Sequence, residues 1–263
     1  MEILVCLKQV PDDSVELHLK PGTQEVNLEG VTPVVNAFDT YALEMATRLK
    51  EAVGGNITAI TVGPEGAKDA VKTCLAVGAN QGYVISDPTF EGADTLGRSK
   101  ILAAAIRKLE ADAGKPFDLI FCGREATDRA SGQLGPQLAE AMGTGVIVDL
   151  VDIEQTDAGI CAKQETEEGY RKVESALPCV VTVNKPAYDP RYPTIKSKMA
   201  ARKMAIPVLS AADLDSVEPG KPTAHVVKVF EPAKRQAGVK INEETAAESA
   251  IKAVDMMAAA KLL

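Results

Sequence analysis

The sequence predicts an α/β fold: a three-layer parallel sheet with helices on both faces, small β-hairpin additions and an extended C-terminal arm. Up to residue 143, short apolar runs typical of buried strands alternate with amphipathic helical patterns. Right-handed crossovers between successive parallel strands then place helices on both sides of the sheet. A chain of 263 residues, 46% of them hydrophobic, is long enough to bury a substantial core.

The first strand and the first helix are separated by an insertion. Residues 3–7 form an apolar run that predicts a central strand, and Pro11 ends it, so residues 8–12 are expected to be a loop. Residues 15–35 alternate apolar and polar side chains around turn signals, which indicates a small β-meander. The first helix follows residues 36–39, with Asn36 or Asp39 as its cap, and Gly54 ends it.

Three further strands and helices continue the alternation. Strands are predicted at residues 57–62, 82–85 and 117–122. One helix begins near Ala67 and ends at Gly78, and the next opens near residues 92–95 and continues to Leu109. The last covers residues 138–142 and is closed by Gly143.

After a predicted strand at residues 145–150, the spacing of apolar residues no longer alternates between strand and helix patterns. Residues 160–165, 170–174 and 180–183 are predicted to be strands, with a hairpin turn at residues 167–169. From residue 186 onward the chain holds seven of its fifteen prolines and has no strong core pattern before a final helix. We therefore predict an α/β domain at residues 1–185 and an extended arm at residues 186–263 that packs on another polypeptide, although a flexible tail is the alternative.

Composition narrows the class of function. The formal charge is -8, from 37 acidic and 29 basic residues, which disfavours a nucleic-acid or anionic-membrane binder. No apolar run is long enough for a membrane span, and the N-terminus lacks the basic start of a signal peptide, so we expect a cytoplasmic protein. Five scattered cysteines without a CxxC pair make a metal site or a disulfide framework improbable.

Catalytic acid or base chemistry has little support in the sequence. Histidine is the residue type best suited to acid or base catalysis near neutral pH, and neither of the two histidines, His18 and His225, lies near a nucleophile pattern. We therefore expect no catalytic residue, and we interpret both histidines as surface side chains.

The stretch from Cys122 to Pro136 is the centre of the predicted site. It joins a buried strand to a helix through a glycine-containing loop. The carboxyl ends of parallel strands form the usual ligand crevice, and a helix N-terminus offers free N–H groups to a phosphate. The stretch indicates a nucleotide phosphate site, unless Gly123 and Gly132 serve only tight turns.

A basic segment at residues 190–204 interrupts an otherwise acidic chain. It contains basic residues but no acidic one, and the apolar Tyr192, Ile195 and Met199 lie among charges such as Lys198. Apolar anchors surrounded by charge are typical of a docking segment. The alternative is a solvated amphipathic helix.

These motifs together resemble the small (beta) subunit of the electron-transfer flavoproteins. The likeness covers essentially the whole chain and includes residues 6–12, 36–39 with their helix, 62–64, 123–136, the hairpin at 167–169, and 191–204. Two hairpin positions differ: the family usually has Lys or Arg where Gln164 stands, and Glu or Gln where Arg171 stands.

The resemblance implies a fold like that of the adenine-nucleotide α/β proteins and an obligate heterodimer with a larger, FAD-holding alpha subunit. It implies that residues 191–204 are the partner-recognition loop, with Ile195 as its anchor. Carried over residue by residue, the cofactor contacts are Cys6, Asn36, Ala37, Phe38, Asp39, Val62, Gly123, Arg124, Glu125, Ala126, Thr127, Asp128, Arg129, Ala130, Ser131, Gly132, Gln133 and Leu134. In such a subunit the flavin performs the redox chemistry and the protein positions it.

Two types of this family remain open. In the ordinary type the small subunit holds structural AMP. In the electron-bifurcating type, which belongs to anaerobic metabolism, it holds a second FAD that accepts a hydride from NADH, and the electrons pass to or from a partner dehydrogenase and to ferredoxin or flavodoxin. Residues 8–12, 92–96 and 132–136 favour the bifurcating type, with Asp94 and Thr95 on the NADH side.

The dehydrogenase partner is not specified by the sequence, because acyl-CoA dehydrogenases and flavin-dependent lactate dehydrogenases both use such proteins. A nucleotide-binding module of the universal-stress type is the alternative from another class. It explains the α/β core but not the proline-rich arm or the basic segment. An ATP-pyrophosphatase enzyme is disfavoured because the chain lacks that family's Ser-Gly-Gly-x-Asp-Ser loop.

Overall fold

The computed structural model describes residues 1–215, 217, 219–234 and 237–263. These residues form two compact units: residues 1–17 with 26–227, and residues 18–25 with 228–263. The units do not divide at the predicted boundary after residue 185, because residues 186–227 belong to the first unit. Residues 216, 218, 235 and 236 of the predicted arm lie outside the described residues.

The strands and helices follow the alternation that the sequence predicts. The strands are β1 Glu2–Cys6, β2 Gln9–Pro11, β3 His18–Leu19, β4 Val26–Asn27, β5 Pro33–Val35, β6 Asn56–Val62, β7 Gln81–Ile85, β8 Leu119–Gly123, β9 Gly145–Thr156, β10 Gly159–Thr166, β11 Gly169–Ser175, β12 Cys179–Val183 and β13 Val208–Leu209. The helices are α1 Ala37–Val53, α2 Lys68–Val77, α3 Thr95–Ala113, α4 Leu134–Met142, α5 Ile195–Arg202 and α6 Ala246–Ala259. Three short 3-10 turns occur at Glu65–Ala67, Pro88–Phe90 and Ala211–Asp213.

The central sheet has the order β11-β10-β9-β12-β8-β1-β6-β7-β13. Every pair from β9 to β13 in that order is parallel, whereas β10 pairs antiparallel with both β9 and β11. Helices α1, α2 and α5 contribute to the core on one face, and α3 and α4 contribute to the core on the other. The predicted α/β class is confirmed.

Strand β1 shows why its sequence is apolar throughout. Ile3 and Val5 pack into the core beneath α1 and α2, whereas Leu4 and Cys6 pack into the core beneath α3 and α4. Successive side chains of a strand point to opposite faces, so a strand covered on both faces needs an apolar residue at every position.

Strand β9 is longer than predicted because it pairs with two other strands along its length. Its first part pairs with β12, and its second part pairs with β10. Asp149 has a positive φ of 56°, and the pairing of both neighbours shifts register in this region. A bulge of this kind bends a strand, which lets β9 lead from the parallel core into the hairpin of β10 and β11.

The two departures from the family's hairpin pattern face each other across that hairpin. Gln164 and Arg171 are register partners on β10 and β11, and the Arg171 Nε donates to Gln164 Oε1 at 2.6 Å. The family's usual arrangement has the cation at position 164 and its acceptor at position 171. The chain therefore retains a cation–acceptor pair with the two sides exchanged.

Two segments differ from the sequence-based expectation. Residues 9–11, expected to be part of a loop, form β2 and pair antiparallel with β5. The arm adds β13 to the sheet beside β7, and its Ala201 and Leu214 are buried. A two-residue strand and isolated apolar residues leave no periodic signal, so only the tertiary structure reveals them.

The second compact unit contains α6. Thr245 caps the helix in a capping box with Glu248, but none of the helix residues is buried. Ile251, Val254, Met256 and Met257 are exposed. The helix thus has an apolar surface that its own unit does not cover.

Candidate functional site

The order of strands changes direction between β1 and β8. From β1 the chain builds outward through β6 and β7, and it then returns through α3 to place β8 on the other side of β1. At such a reversal the loops from neighbouring strands separate, which leaves a crevice beyond their carboxyl ends. The predicted site residues of β1, α1 and β8 meet at this crevice.

Asp39 joins the ends of the two strands. Its Oδ2 accepts a hydrogen bond from the Lys8 backbone N–H at 2.7 Å, and its Oδ1 accepts one from the Gly123 N–H at 3.2 Å. The side chain is buried, and burial raises the pKa of Asp39 to about 7 although these hydrogen bonds lower it. Asp39 therefore links the ends of β1 and β8 through hydrogen bonds beneath the crevice.

The close contact between Asp39 and the end of β8 requires glycine at position 123. A Cβ atom at this position would lie 2.4 Å from Asp39 Oδ1 and 2.8 Å from the Phe38 carbonyl carbon. Glycine thus permits the start of α1 to approach the end of β8 closely.

Asn36 holds the loop that follows β8. Its buried side-chain amide donates to the Glu125 carbonyl oxygen at 2.8 Å, and its Oδ1 accepts from the Thr127 N–H at 3.1 Å. Its own backbone N–H donates to the Lys8 carbonyl at 2.9 Å. Asn36 is the N-cap residue of α1, one of the two predicted possibilities, but its side chain makes no cap hydrogen bond and bonds to the loop instead. Asp39, the other possibility, lies in the first turn of the helix.

The loop ends in a group of free N–H donors. Gly132 has a φ of +63°, which turns the chain into α4. Among the described residues, the N–H groups of Ser131, Gly132, Gln133 and Leu134 have no hydrogen-bond acceptor. Free donors at a helix N-terminus favour a bound anion.

Two arginines add positive charge to the same crevice. The half-buried Arg98 donates through Nε to the Ala93 carbonyl and through Nη1 to the Val62 carbonyl, each at 3.2 Å. Within the described part of the chain, neither Arg98 nor Arg129 has a carboxylate within 4.0 Å. Burial lowers the pKa of Arg98, and the nearby Arg129 lowers it further. An anion bound here would compensate two neighbouring cations.

Cys6 and Cys122 form the apolar floor of the crevice. They lie at the ends of the adjacent strands β1 and β8, and both are buried. The hydrogen bond with Cys122, together with burial, holds the pKa of the Cys6 thiol well above its usual value. The Cys6 thiol therefore remains protonated, and both buried cysteines pack as small apolar groups.

Asp94 has structural partners of its own. Its Oδ1 accepts from the Gly97 N–H at 2.9 Å and caps α3, while its Oδ2 accepts from the Thr223 N–H at 2.7 Å and the Thr223 hydroxyl at 2.8 Å. These hydrogen bonds hold the pKa of the carboxyl well below its usual value. Thr95, in contrast, contacts Gln133 across the crevice at 3.4 Å.

The crevice contains a cavity of about 300 Å³. Of the predicted cofactor contacts, its lining includes Cys6, Asn36, Asp39, Val62, Gly123, Arg124, Glu125, Ala126, Arg129, Ser131, Gly132, Gln133 and Leu134, together with Asp94 and Thr95. Ala37, Phe38, Thr127, Asp128 and Ala130 do not line it. Asp128 instead pairs with the Lys8 ammonium group at 2.6 Å.

Several lining residues were not among the predicted cofactor contacts. Cys122, Lys8 and Ala93 lie in stretches that the sequence analysis singled out, whereas Leu7, Arg98, Leu102 and residues 224–226 were missed altogether. Lys8 directly follows the first strand, so its place at the crevice was a readable signal. Arg98 and residues 224–226 had none, because their positions depend on how α3 and the arm pack.

A second cavity of about 310 Å³ lies beside the first and shares Lys8, Val62 and Arg98 with it. Most of its other walls are apolar and include Val10 and Pro11. Thr61 also lines it, and its buried hydroxyl has no hydrogen-bond partner in the described structure.

The basic segment presents its apolar residues to solvent. Tyr192, Ile195 and Met199 are 92%, 81% and 57% exposed, and Lys198 is exposed beside them. Ile195 begins α5, which Thr194 caps through a hydrogen bond from the Ser197 N–H. No helix in the described part of the chain is long and apolar enough to span a bilayer.

Comparisons with known proteins agree with this architecture. The model of the electron transfer flavoprotein domain matches residues 26–214. The chain is 40% identical over 258 residues to the electron transfer flavoprotein subunit beta of Megasphaera elsdenii, covering 95% of each protein.

Two further relatives carry names of larger assemblies. The chain is 35% identical over 257 residues to the caffeyl-CoA reductase-Etf complex subunit CarD of Acetobacterium woodii, covering 95% of each. It is 34% identical over 252 residues to the acryloyl-CoA reductase electron transfer subunit gamma of Anaerotignum propionicum, covering 92% of each. Family match, coverage and identity together establish that the chain belongs to the electron transfer flavoproteins, as a beta subunit.

Proposed function

We propose that this beta subunit holds FAD in the β1–β8 crevice, that NADH reduces this FAD by hydride transfer, and that the electrons pass through the FAD of an alpha subunit. From there they go to or come from a partner flavin dehydrogenase and a low-potential acceptor, ferredoxin or flavodoxin. The bound flavin supplies the redox chemistry, and the chain binds and orients it.

The free N–H groups of residues 131–134 are the observation that carries this proposal. They lie at the N-terminus of α4, beside Arg98 and Arg129. Free donors and two cations without a carboxylate partner among the described residues suit a pyrophosphate. Phosphate binding alone does not separate FAD from AMP, since both carry phosphate.

The second cavity favours the larger nucleotide. It shares Lys8, Val62 and Arg98 with the first cavity, and its apolar corner at Val10 and Pro11 suits a flat ring system. Thr61 lines this cavity with a buried hydroxyl that has no partner among the described residues. AMP would leave this space unused, so the non-bifurcating alternative has the weaker structural support.

The NADH side of the proposal now rests on Thr95 more than on Asp94. The Asp94 carboxylate is engaged by α3 and by Thr223. Thr95 lines the first cavity with a hydroxyl whose contact to Gln133 is long, at 3.4 Å.

The partner is proposed from the relatives. The names of two of them link them to caffeyl-CoA and acryloyl-CoA reductases. This favours an acyl-CoA dehydrogenase over a flavin-dependent lactate dehydrogenase as the partner of this chain.

Cofactor release from the heterodimer tests the proposal. The co-expressed pair should release two FAD on denaturation, and its flavin absorbance should bleach with NADH. Gly132→Val should lose one FAD, because valine resists the positive φ at the loop end. Gly143→Val is the matched control: Gly143 has a φ of +69° at the other end of α4 and should keep both flavins.

One FAD and one AMP per heterodimer, with no bleaching by NADH, would overturn the bifurcating proposal. The chain would then be the beta subunit of a one-flavin carrier.

We also propose that Tyr192, Ile195, Lys198 and Met199 dock the partner dehydrogenase. Ile195→Ala should raise the KM for the heterodimer in transfer from an acyl-CoA dehydrogenase by roughly thirtyfold, because a truncated hot-spot anchor costs about 2 kcal/mol. Lys198→Glu should mainly slow association at low salt. Lys108→Glu on α3 is the charge control, and unchanged transfer in both docking variants at every ionic strength would remove this assignment.

A further inference from the structure

The proposed docking surface consists of apolar side chains that the fold holds in solvent. Tyr192, Ile195 and Met199 are more than half exposed, yet they lie on a short helix and in the irregular segment before it. A helix of eight residues is marginal by itself in water. Something outside the segment must therefore fix its position.

Arg191 supplies a double ion pair at the start of the segment. Its Nε donates to Glu44 Oε2 at 2.8 Å, and its Nη2 donates to Glu44 Oε1 at 3.2 Å. Its Nη1 and Nη2 also donate to the two Glu51 carboxylate oxygens at 2.5 and 3.0 Å. One planar guanidinium thus bridges two carboxylates on α1, which a lysine ammonium group cannot do in the same way.

The Glu44 end of this clamp is rigid. The Glu44 side chain is only 3% exposed, and Arg48 donates to it at 2.7 Å from the next turn of α1. The Arg48 guanidinium in turn lies 3.8 Å above the Tyr188 ring, just before the basic segment. Buried, multiply bonded ion pairs keep their geometry far better than exposed pairs.

The far end of the segment is also held. Ala201, near the end of α5, is buried in the core that also includes α2 residues. The apolar residues Tyr192, Ile195 and Met199 lie between these two fixed points.

Helix α1 connects the clamp to the nucleotide crevice. Asp39 and Glu44 are five residues apart on the same helix, a distance of about 7.5 Å along its axis. A segment fixed to Glu44 is therefore also fixed relative to the edge where Asp39 joins β1 and β8.

We propose that Arg191 is a positioning residue for partner docking: its ion pairs with Glu44 and Glu51 lock residues 192–202 onto α1 in the conformation that presents Tyr192, Ile195 and Met199. This inference rests on the proposed docking role of the segment. Arg191 itself need not touch the partner, because its guanidinium is occupied by α1.

Amide hydrogen exchange on the co-expressed heterodimer tests the clamp directly. Arg191→Ala should speed exchange of residues 195–202 by roughly tenfold or more, with flavin content unchanged. Glu51→Gln, a change at an exposed carboxylate, should also speed exchange of residues 195–202, but by a smaller factor. If Arg191→Ala does not fold, exchange in Glu51→Gln tests the proposal. Arg202→Ala removes the same charge from an exposed position in the same segment and should leave exchange unchanged.

Transfer from an acyl-CoA dehydrogenase supplies the second measurement. Arg191→Ala should raise the KM for the heterodimer by roughly tenfold while kcat changes little, and Arg191→Lys should recover part of the loss. Unchanged exchange in both Arg191→Ala and Glu51→Gln would overturn the inference. The inference would also be overturned if Arg191→Ala exchanged faster but kept its KM while Ile195→Ala raised KM. If Ile195→Ala leaves KM unchanged while Arg191→Ala frees the segment, the docking proposal fails although the clamp exists.

Discussion

Asp39 makes the crevice sensitive to pH. Its folded pKa of about 7 lies above the usual 3.8, so the folded state binds the proton more tightly than the unfolded state. Its stabilising contribution is complete below about pH 4 and is lost as the pH rises to about 7. The difference corresponds to about 4 kcal/mol.

We predict that Asp39→Asn flattens this part of the pH dependence. The free energy of unfolding of the heterodimer, measured by urea titration between pH 5 and pH 8, should fall less steeply in the variant. Asp69→Asn, at an exposed position on α2, should keep the original slope. Parallel curves for Asp39→Asn and the unchanged protein would contradict the prediction.

A substitution at Gly123 tests whether the close approach of α1 to β8 stabilises the protein. A methyl group there would meet Asp39 and the Phe38 backbone, so we expect Gly123→Ala to destabilise the heterodimer by about 1–3 kcal/mol and to weaken nucleotide retention. Gly66→Ala is the control, because no atom lies within 4 Å of its added Cβ. Equal melting temperatures and nucleotide contents for the two variants would show that the crevice adapts without cost.

The hairpin of β10 and β11 shows how an element can keep an interaction while its residues change places. Gln164 also donates through Nε2 to the Val148 carbonyl at 2.8 Å, so it ties the hairpin to β9 as well as to Arg171. We predict that Arg171→Ala costs about 1 kcal/mol of stability.

The exchanged pair, Gln164→Arg with Arg171→Gln, should recover most of the stability that either single change loses. A double-mutant cycle measured by urea unfolding should give a coupling energy of about 1 kcal/mol. Additive single effects would mean that the two positions do not compensate each other.

The exposed apolar surface of helix α6 bears on how the chain behaves without an alpha subunit. Ile251, Val254 and Met257 are exposed on this helix, and an exposed apolar surface promotes association between protein molecules. We expect the chain to aggregate when expressed alone and to be soluble when co-expressed with the alpha subunit. A monodisperse isolated chain that melts cooperatively in calorimetry would contradict this expectation.

The sequence by itself determined the fold class and the place of the crevice. Short continuous apolar runs such as residues 3–7 are typical of strands covered on both faces, and their alternation with amphipathic helices leaves a parallel sheet as the simple solution. Since ligand crevices form at the carboxyl ends of such strands, the Gly123 loop was identifiable from its position in the chain, whereas Cys6 and Asp39 were assigned through the family resemblance.

Only the tertiary structure decided which side chains compensate one another at long range. Asp39 bonds to Lys8 and Gly123, and Arg191 bonds to Glu44, more than a hundred residues away in the chain. Arg98 and the two-residue β13 likewise depend on packing between elements. Periodicity reports which face of one element is buried, but a hydrogen bond between elements depends on their mutual position, which no local pattern encodes.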